Sequence, residues 1–258
     1  MKKIGNKDAK TSWGDVAEWY DEHLEGNADS YHVRVIAPNL LRVLDIKKND
    51  TVLDIACGQG FFTRMFAEAG GTVEGSDVSY ELIAKAKKHS PLIDFYVASA
   101  HALSFAQAHS YDIATIVLAI QNIESIGNVF AEVHRVLKPN GRLILVMNHP
   151  AFRAPKRTSW GWDESAEVQY RRVDGYLSSA TIPIDMHPGT EESEQTISYH
   201  RSLQEYFKAL AKSGFAVTKL EEWISHKKSE RGPRQVAEDT ARKEIPLFMM
   251  IECRVITS

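Results

Sequence analysis

Asp54, Gly58, Gly60 and Asp77 are the residues whose types and spacing say most about chemistry. The run VLDIACGQG places the first three where a short β-branched strand hands over to a helix, and open α/β sheets take ligands at the carboxyl ends of such strands. Glycine at 58 and 60 lets the backbone turn tightly and approach a ligand with no Cβ between them. A dinucleotide site would read G-x-G-x-x-G, but the third position here is Thr63. The Asp54 carboxylate would repel a pyrophosphate, yet it suits a ligand carrying an ammonium and a sulfonium, or the water around them. Asp77 ends the next strand, seventeen residues beyond Gly60, where an acid accepts hydrogen bonds from both hydroxyls of a ribose. The expected ligand is a cationic nucleoside, and a nicotinamide enzyme is a distant alternative.

The elements that must position these residues follow from hydrophobic periodicity. Two helical segments precede the first strand: Asp15 to Glu25, and Tyr31 to Leu44, the second kinked or split by Pro38. TVLDIA, TVEGS, IDFYVA, YDIATIVLA and RLILVMN read as strands. Between them, FFTRMFAEAGG, SYELIAKAKKH (with Ser79 as N-cap) and SIGNVFAEVHRVL read as helices, the last stopped by KPNG. Strands alternating with helices at this spacing predict right-handed crossovers and a doubly wound, Rossmann-like parallel sheet. Residues 149–201 break the rhythm and are expected to be irregular, as is SHKKSERGPRQVAEDTARKE further on. SLQEYFKALAKSG is a further helix, and FAVTKLEEW and PLFMMIECRVI are the last two strands.

Composition narrows the class. With 31 Lys and Arg against 34 Asp and Glu, the 258-residue chain has a formal charge of −3, and 25% of its residues are charged, as in an ordinary globular protein. The longest nearly unbroken apolar run, Ile113 to Ile120, is far below the roughly 20 residues of a membrane span. The start has basic residues but no apolar stretch after them, so a cytoplasmic location is expected. Cys57 and Cys253 offer neither a disulfide framework nor zinc ligands, and no metal site is expected. No GxSxG or HExxH motif is present.

From about residue 50 to 147, VLDIACGQG…VEGSDVS…YDIATIVLAIQNIES…VFAEVHRVLKPNGRLILVM resembles the class I S-adenosylmethionine-dependent methyltransferases, in their small-molecule branch. The resemblance implies a seven-stranded sheet whose last strand is inserted antiparallel, with S-adenosylmethionine as cofactor and S-adenosylhomocysteine as product. It puts Asp54, Ala56, Gly58 and Gly60 under the methionine part, Asp77 on the ribose and Val78 on the adenine. The family often has an Asp-Ala pair at the adenine amino group; this chain reads Ser99-Ala100, and serine accepts the same hydrogen bond more weakly. Val117 and Gln121 fall where the family meets the methionine end and the acceptor, with Gln121-Asn122 in place of the histidines common there. The implied organisation is one domain over 1–258: a helical cap (1–48), a cofactor-binding core (49–148), an acceptor-side insert (149–201), and the closing helix and strands (202–258).

Methyl transfer from a sulfonium asks the protein for alignment, desolvation and, where the acceptor holds a proton, a base. His149, at the end of the fifth strand, is the expected base, with His187 and His200 of the insert as further candidates; each equally suits an ordinary loop hydrogen bond. Trp160 and its neighbours Trp162, Tyr170, Tyr176 and Tyr199 serve either an acceptor pocket or a small core of the insert. In the cap, Tyr20 is the best match to a tyrosine that reaches the active site in related enzymes. Basic clusters at Arg153 to Arg157, at Arg171-Arg172 and from His226 to Arg234 would recognise a phosphorylated substrate or RNA if they converged. The net charge and the interspersed acids weigh against nucleic acid. The leading expectation is methylation of an oxygen or nitrogen, or, less favoured, a carbon, of a small organic molecule held under the insert. The alternatives are an RNA or protein acceptor, and a non-catalytic cofactor sensor; oligomeric state is not legible.

Overall fold

The computed structural model describes residues 12–185 and 195–256, apart from the side chains at 12, 15, 20, 23 and 25. Helices α1 (Ser12–Asp15) and α2 (Ala17–Glu25) lead to a π-helical turn (His32–Ile36), which runs directly into α3 (Ala37–Leu44). Pro38 falls in the first turn of α3, directly after the π-helical turn, so the expected kink is instead a change of helix type at the point where proline offers no N–H to the preceding turn. The alternation that follows is β1 (Thr51–Ile55), α4 (Phe61–Glu68), β2 (Thr72–Asp77), α5 (Tyr80–His89), β3 (Asp94–Val97), β4 (Tyr111–Val117), α6 (Ile126–Val136) and β5 (Leu137–Asn148). Ser79 caps α5 as expected, its hydroxyl accepting from Leu82 N at 3.1 Å.

Strand β5 starts earlier than expected. It begins at Leu137, immediately after α6, and carries KPNG as an irregularity that shifts its register against β4 between Tyr111 and Ile113. The described residues of 149–201 are more regular than expected. They hold two antiparallel hairpins, β6 (Thr158–Asp163) with β7 (Val168–Val173), and β8 (Ala180–Asp185) with β9 (Gln195–His200). These strands are short and mostly exposed or half-buried, so they lack the apolar alternation that marks a strand packed on a core. Then come α7 (Leu203–Lys212), β10 (Phe215–Trp223), α8 (Gln235–Glu244) and β11 (Phe248–Val255). Helix α8 was hidden in the second stretch expected to be irregular, because Ala241 is its only buried residue.

Seven strands form the main sheet in the order β10-β11-β5-β4-β1-β2-β3. β11 pairs antiparallel with both β5 and β10, and every other pairing is parallel. Alternate side chains feed two cores. Leu53, Ile55, Leu143 and Leu145 pack under α6 and α7, while Val52, Ile144 and Val146 pack under α3 and α4. The sheet is therefore covered on both faces. Its carboxyl edge, at β1, β2 and β4, is where the chain leaves space.

Candidate active site

The turn between β1 and α4 bends through three left-handed residues, Ala56 (φ 55°), Gly58 (φ 58°) and Gly60 (φ 83°). A Cβ on Gly60 would also meet the Phe95 ring at 3.0 Å. Ala56 carries a conformation costly for a residue with a Cβ, as ligand-binding turns often do.

Two buried carboxylates flank the turn. Asp54 is 2% exposed; its Oδ2 accepts from Thr63 Oγ1 at 2.6 Å and its Oδ1 from Thr115 Oγ1 at 2.8 Å. Burial pushes its carboxyl up to about 6, against the two hydroxyl hydrogen bonds that hold it down, and the Asp77 charge adds to the rise. Asp77 is held by backbone: Oδ2 accepts from Gly58 N and Oδ1 from Ser79 N, both at 2.9 Å. Burial raises its carboxyl as well, partly offset by those amides. Each Asp77 oxygen keeps a lone pair for a further donor. Among the described residues neither carboxylate pairs with a cationic side chain.

Both acids line one cavity of about 1010 Å³ including its mouth, at the upper end of the roughly 300–1,000 Å³ usual for small-molecule sites. Of the residues expected to meet the cofactor, Ala56, Gly58, Val78, Ser99, Ala100 and Val117 also line it. Gly60 sits behind the turn as the residue that opens α4. Ser99 Oγ lies 2.9 Å from His101 Nδ1, and Val78 is half-exposed at the mouth. Cys57 lines the cavity, and burial, with the Asp54 and Asp77 charges, pushes its thiol well above the ordinary range.

The expected acceptor-side residues are placed differently. His149 does not line this cavity. Its Nε2 meets Glu222 at 2.8 Å, and Nδ1 accepts from Ala151 N and Phe152 N, so both ring nitrogens are engaged in holding the chain after β5. Burial lowers its basicity, and Glu222 opposes the shift. His200 Nε2 meets the Tyr176 carbonyl, and Trp160 stacks under Arg171 in a separate cavity. Gln121 turns back to donate to the Leu118 carbonyl, and it is Asn122 that reaches the cavity. His187 and the Tyr20 side chain lie outside the described residues.

In their place the cavity is lined by Trp13, Leu24 and His32 from the N-terminal segments, with Phe61, Phe62, Leu118 and Ile123 from the core. No described residue of 149–201 lines it, though the Ile197 carbonyl of β9 accepts from Asn122 Nδ2, a lining residue, at 2.8 Å. His32 rests on Phe61 and Phe62, with ring centroids 6.3 and 5.9 Å away. No sequence signal marks it, because the π-helical turn that aims it has no periodicity of its own. Thr63, read from sequence only as a missing glycine, is one of the two residues that hold Asp54.

S-adenosylmethionine fits this chemistry. Two buried acids without a cation face a cavity that has open glycine backbone on one side and apolar walls on the other. No group of residues suited to a metal ion occurs among those described. Fold and site together are similar to those of the class I, S-adenosylmethionine-dependent methyltransferases. Residues 53–145 match the family described as Methyltransferase domain. The chain is similar to a demethylmenaquinone methyltransferase of Renibacterium salmoninarum, 38% identical over 108 residues, covering 42% of this chain and 45% of that protein. It is also similar to a malonyl-[acyl-carrier protein] O-methyltransferase of Pseudescherichia vulneris, 28% identical over 55% of this chain and 53% of the other. The chain thus spans about half the length of the curated relatives it matches. Among solved structures, an S-adenosylmethionine-dependent methyltransferase from Mesorhizobium loti superposes with a TM-score of 0.66 at 27% identity, over 84% of this chain and 96% of that one.

Proposed function

We propose that this protein transfers a methyl group from S-adenosylmethionine to an oxygen or nitrogen of a small organic molecule that carries an apolar ring. The observation that carries this reading is the pair of buried, cation-free carboxylates, Asp54 and Asp77, on one cavity beside the β1–α4 turn. When bound, S-adenosylmethionine supplies an electrophilic methyl on a sulfonium sulfur. Asp77 accepts from the ribose hydroxyls with its spare lone pairs, and Asp54 offsets the positive charge of the methionine end. The backbone at Ala56, Gly58 and Gly60 lies under that end. Val78 covers the adenine face, Ser99 and Ala100 its edge, and Val117 borders the methionine side.

The acceptor lies against Trp13, Leu24, Phe61, Phe62 and Ile123, a wall suited to a flat apolar body. The relatives named for demethylmenaquinone support such an acceptor; their likeness covers 42% of this chain. His32 is the one histidine among the described lining residues, and it takes the acceptor's proton where there is one to lose. An RNA acceptor finds less support, because several of the basic side chains are paired with acids: Arg172 with Asp174, Lys227 with Asp29 and Arg234 with Glu164.

Calorimetric titration with S-adenosylhomocysteine, with NAD in parallel, is the test. Binding of S-adenosylhomocysteine alone would license an acceptor screen of phenols, hydroquinones and amines. If folded, ligand-free protein bound neither, the reading would fall; binding without turnover of any acceptor would favour a sensor.

A further inference from the structure

A second cavity, of about 530 Å³, shares no lining residue with the first and holds Arg153, Arg171 and Arg242. The three come from separate parts of the chain: the segment after β5, strand β7 and helix α8. None has a carboxylate within ion-pair distance among the described residues. We infer that this cavity is a binding site for an oxyanion, the carboxylate or phosphate end of a small molecule.

Arg153 carries the argument. Its guanidinium lies 4.7 Å from the centroid of Phe248 and 5.4 Å from that of Tyr31, which fixes its position without using its donors. Its Nη1 is buried with no hydrogen-bond partner, an arrangement that is costly unless something accepts from it. Burial and the charge of Arg171 both disfavour the charged form of Arg153. Arg171 is aimed rather than free: Nε donates to the Phe152 carbonyl at 2.7 Å, an η nitrogen donates to Thr158 Oγ1 at 2.8 Å, and its guanidinium lies 4.9 Å over Trp160. Arg242 is held through Nε by Ser229 Oγ at 3.0 Å. Two hydroxyls, Tyr31 and Ser225, sit 3.1 Å apart on the same wall.

Three like charges brought together with no acid repel one another, and a bound oxyanion reverses the sign of that balance through charge-assisted hydrogen bonds. A concave, aromatic-walled site suits a small molecule. Nucleic acid would need an extended basic face, and the neighbouring Arg172 and Arg234 are already paired with acids. Two of the basic clusters legible in the sequence, those of Arg153 and Arg171, do converge, and α8 adds a third member that no sequence cluster contained.

The full chain should be titrated at low ionic strength with inorganic phosphate and, separately, with benzoate. Saturable one-to-one binding of either is expected, phosphate or benzoate being preferred according to which oxyanion the site takes. Arg153→Gln and Arg242→Gln should each weaken it by about tenfold or more, the loss of one charged hydrogen bond. Should Arg153→Gln fail to fold, Arg242→Gln decides alone, since one described hydrogen bond holds that side chain. Asp77→Ala should leave anion binding unchanged, and both arginine variants should keep their affinity for S-adenosylhomocysteine, so this inference and the methyltransferase reading fail separately. No saturable binding of either anion, or equal affinity in wild type and the folded arginine variants, overturns it.

Discussion

Asp54 and Asp77 are both buried acids, but one is held by hydroxyls and the other by backbone amides, and their substitutions should differ accordingly. Asp77→Ala should lower S-adenosylhomocysteine affinity by about 2–3 kcal/mol, roughly 30- to 150-fold by calorimetry, through loss of its charged hydrogen bonds. Asp54 confers a pH dependence. With its carboxyl raised from 3.8 to about 6, the empty folded protein binds a proton that the unfolded chain does not, so this group's contribution to stability falls as pH rises through that window. A cationic ligand prefers the carboxylate, so affinity for S-adenosylmethionine should rise over the same window and level off above about 6. Asp54→Asn should flatten the profile near pH 6; an unaltered profile would show that another group sets it. At His149 the expectation is structural. His149→Ala strips Ala151 N and Phe152 N of their acceptor and should cost about 1–3 kcal/mol in urea denaturation with little change in kcat.

At the scale of elements, the β1–α4 turn is held open from behind as well as by its own dihedrals. Gly60 opens α4 at φ 83°, with the Phe95 ring of β3 where a side chain would go. Gly60→Ala should therefore destabilise by about 1–3 kcal/mol and weaken cofactor binding at the same time, read from the urea midpoint and a parallel titration. The turn was legible in sequence because strand, glycine and helix signals are all local. The hairpins of the insert were not, since Thr158–Asp163 and Val168–Val173 pair with each other and contain no buried residue whose alternation would mark them. Helix α8 escaped for the same reason, as a polar helix leaves no apolar stripe to count.

For the molecule as a whole, the N-terminal helices close the cofactor cavity, and charge pairs help to hold them there. Lys85 of α5 reaches Glu18 at 2.6 Å and Asp21 at 3.4 Å, and His89 reaches Asp21 at 2.8 Å, while Trp13 and Leu24 from the same segment line the cavity. Such half-exposed pairs are worth little singly. Asp21→Ala should weaken S-adenosylhomocysteine binding only about two- to fivefold. The difference from wild type should shrink toward about 0.5 M salt as screening shortens the reach of the charges. A difference that persisted undiminished in salt would assign the effect to packing instead.

What the sequence alone determined is the half of the protein whose signals are local: the strand, turn and helix around Asp54, Gly58 and Gly60, the acid at the end of β2, and the alternation that makes the sheet parallel. Tertiary structure decided which side chains share a cavity. His149 is turned into Glu222, 73 positions away, whereas His32 is carried onto Phe61 and Phe62 by a π-helical turn. Arg153, Arg171 and Arg242 meet across nearly ninety residues. Periodicity and turn chemistry act over a few residues and can be read in order along the chain. Contacts between distant segments are set by how whole faces pack, and that packing is written in no single stretch of it.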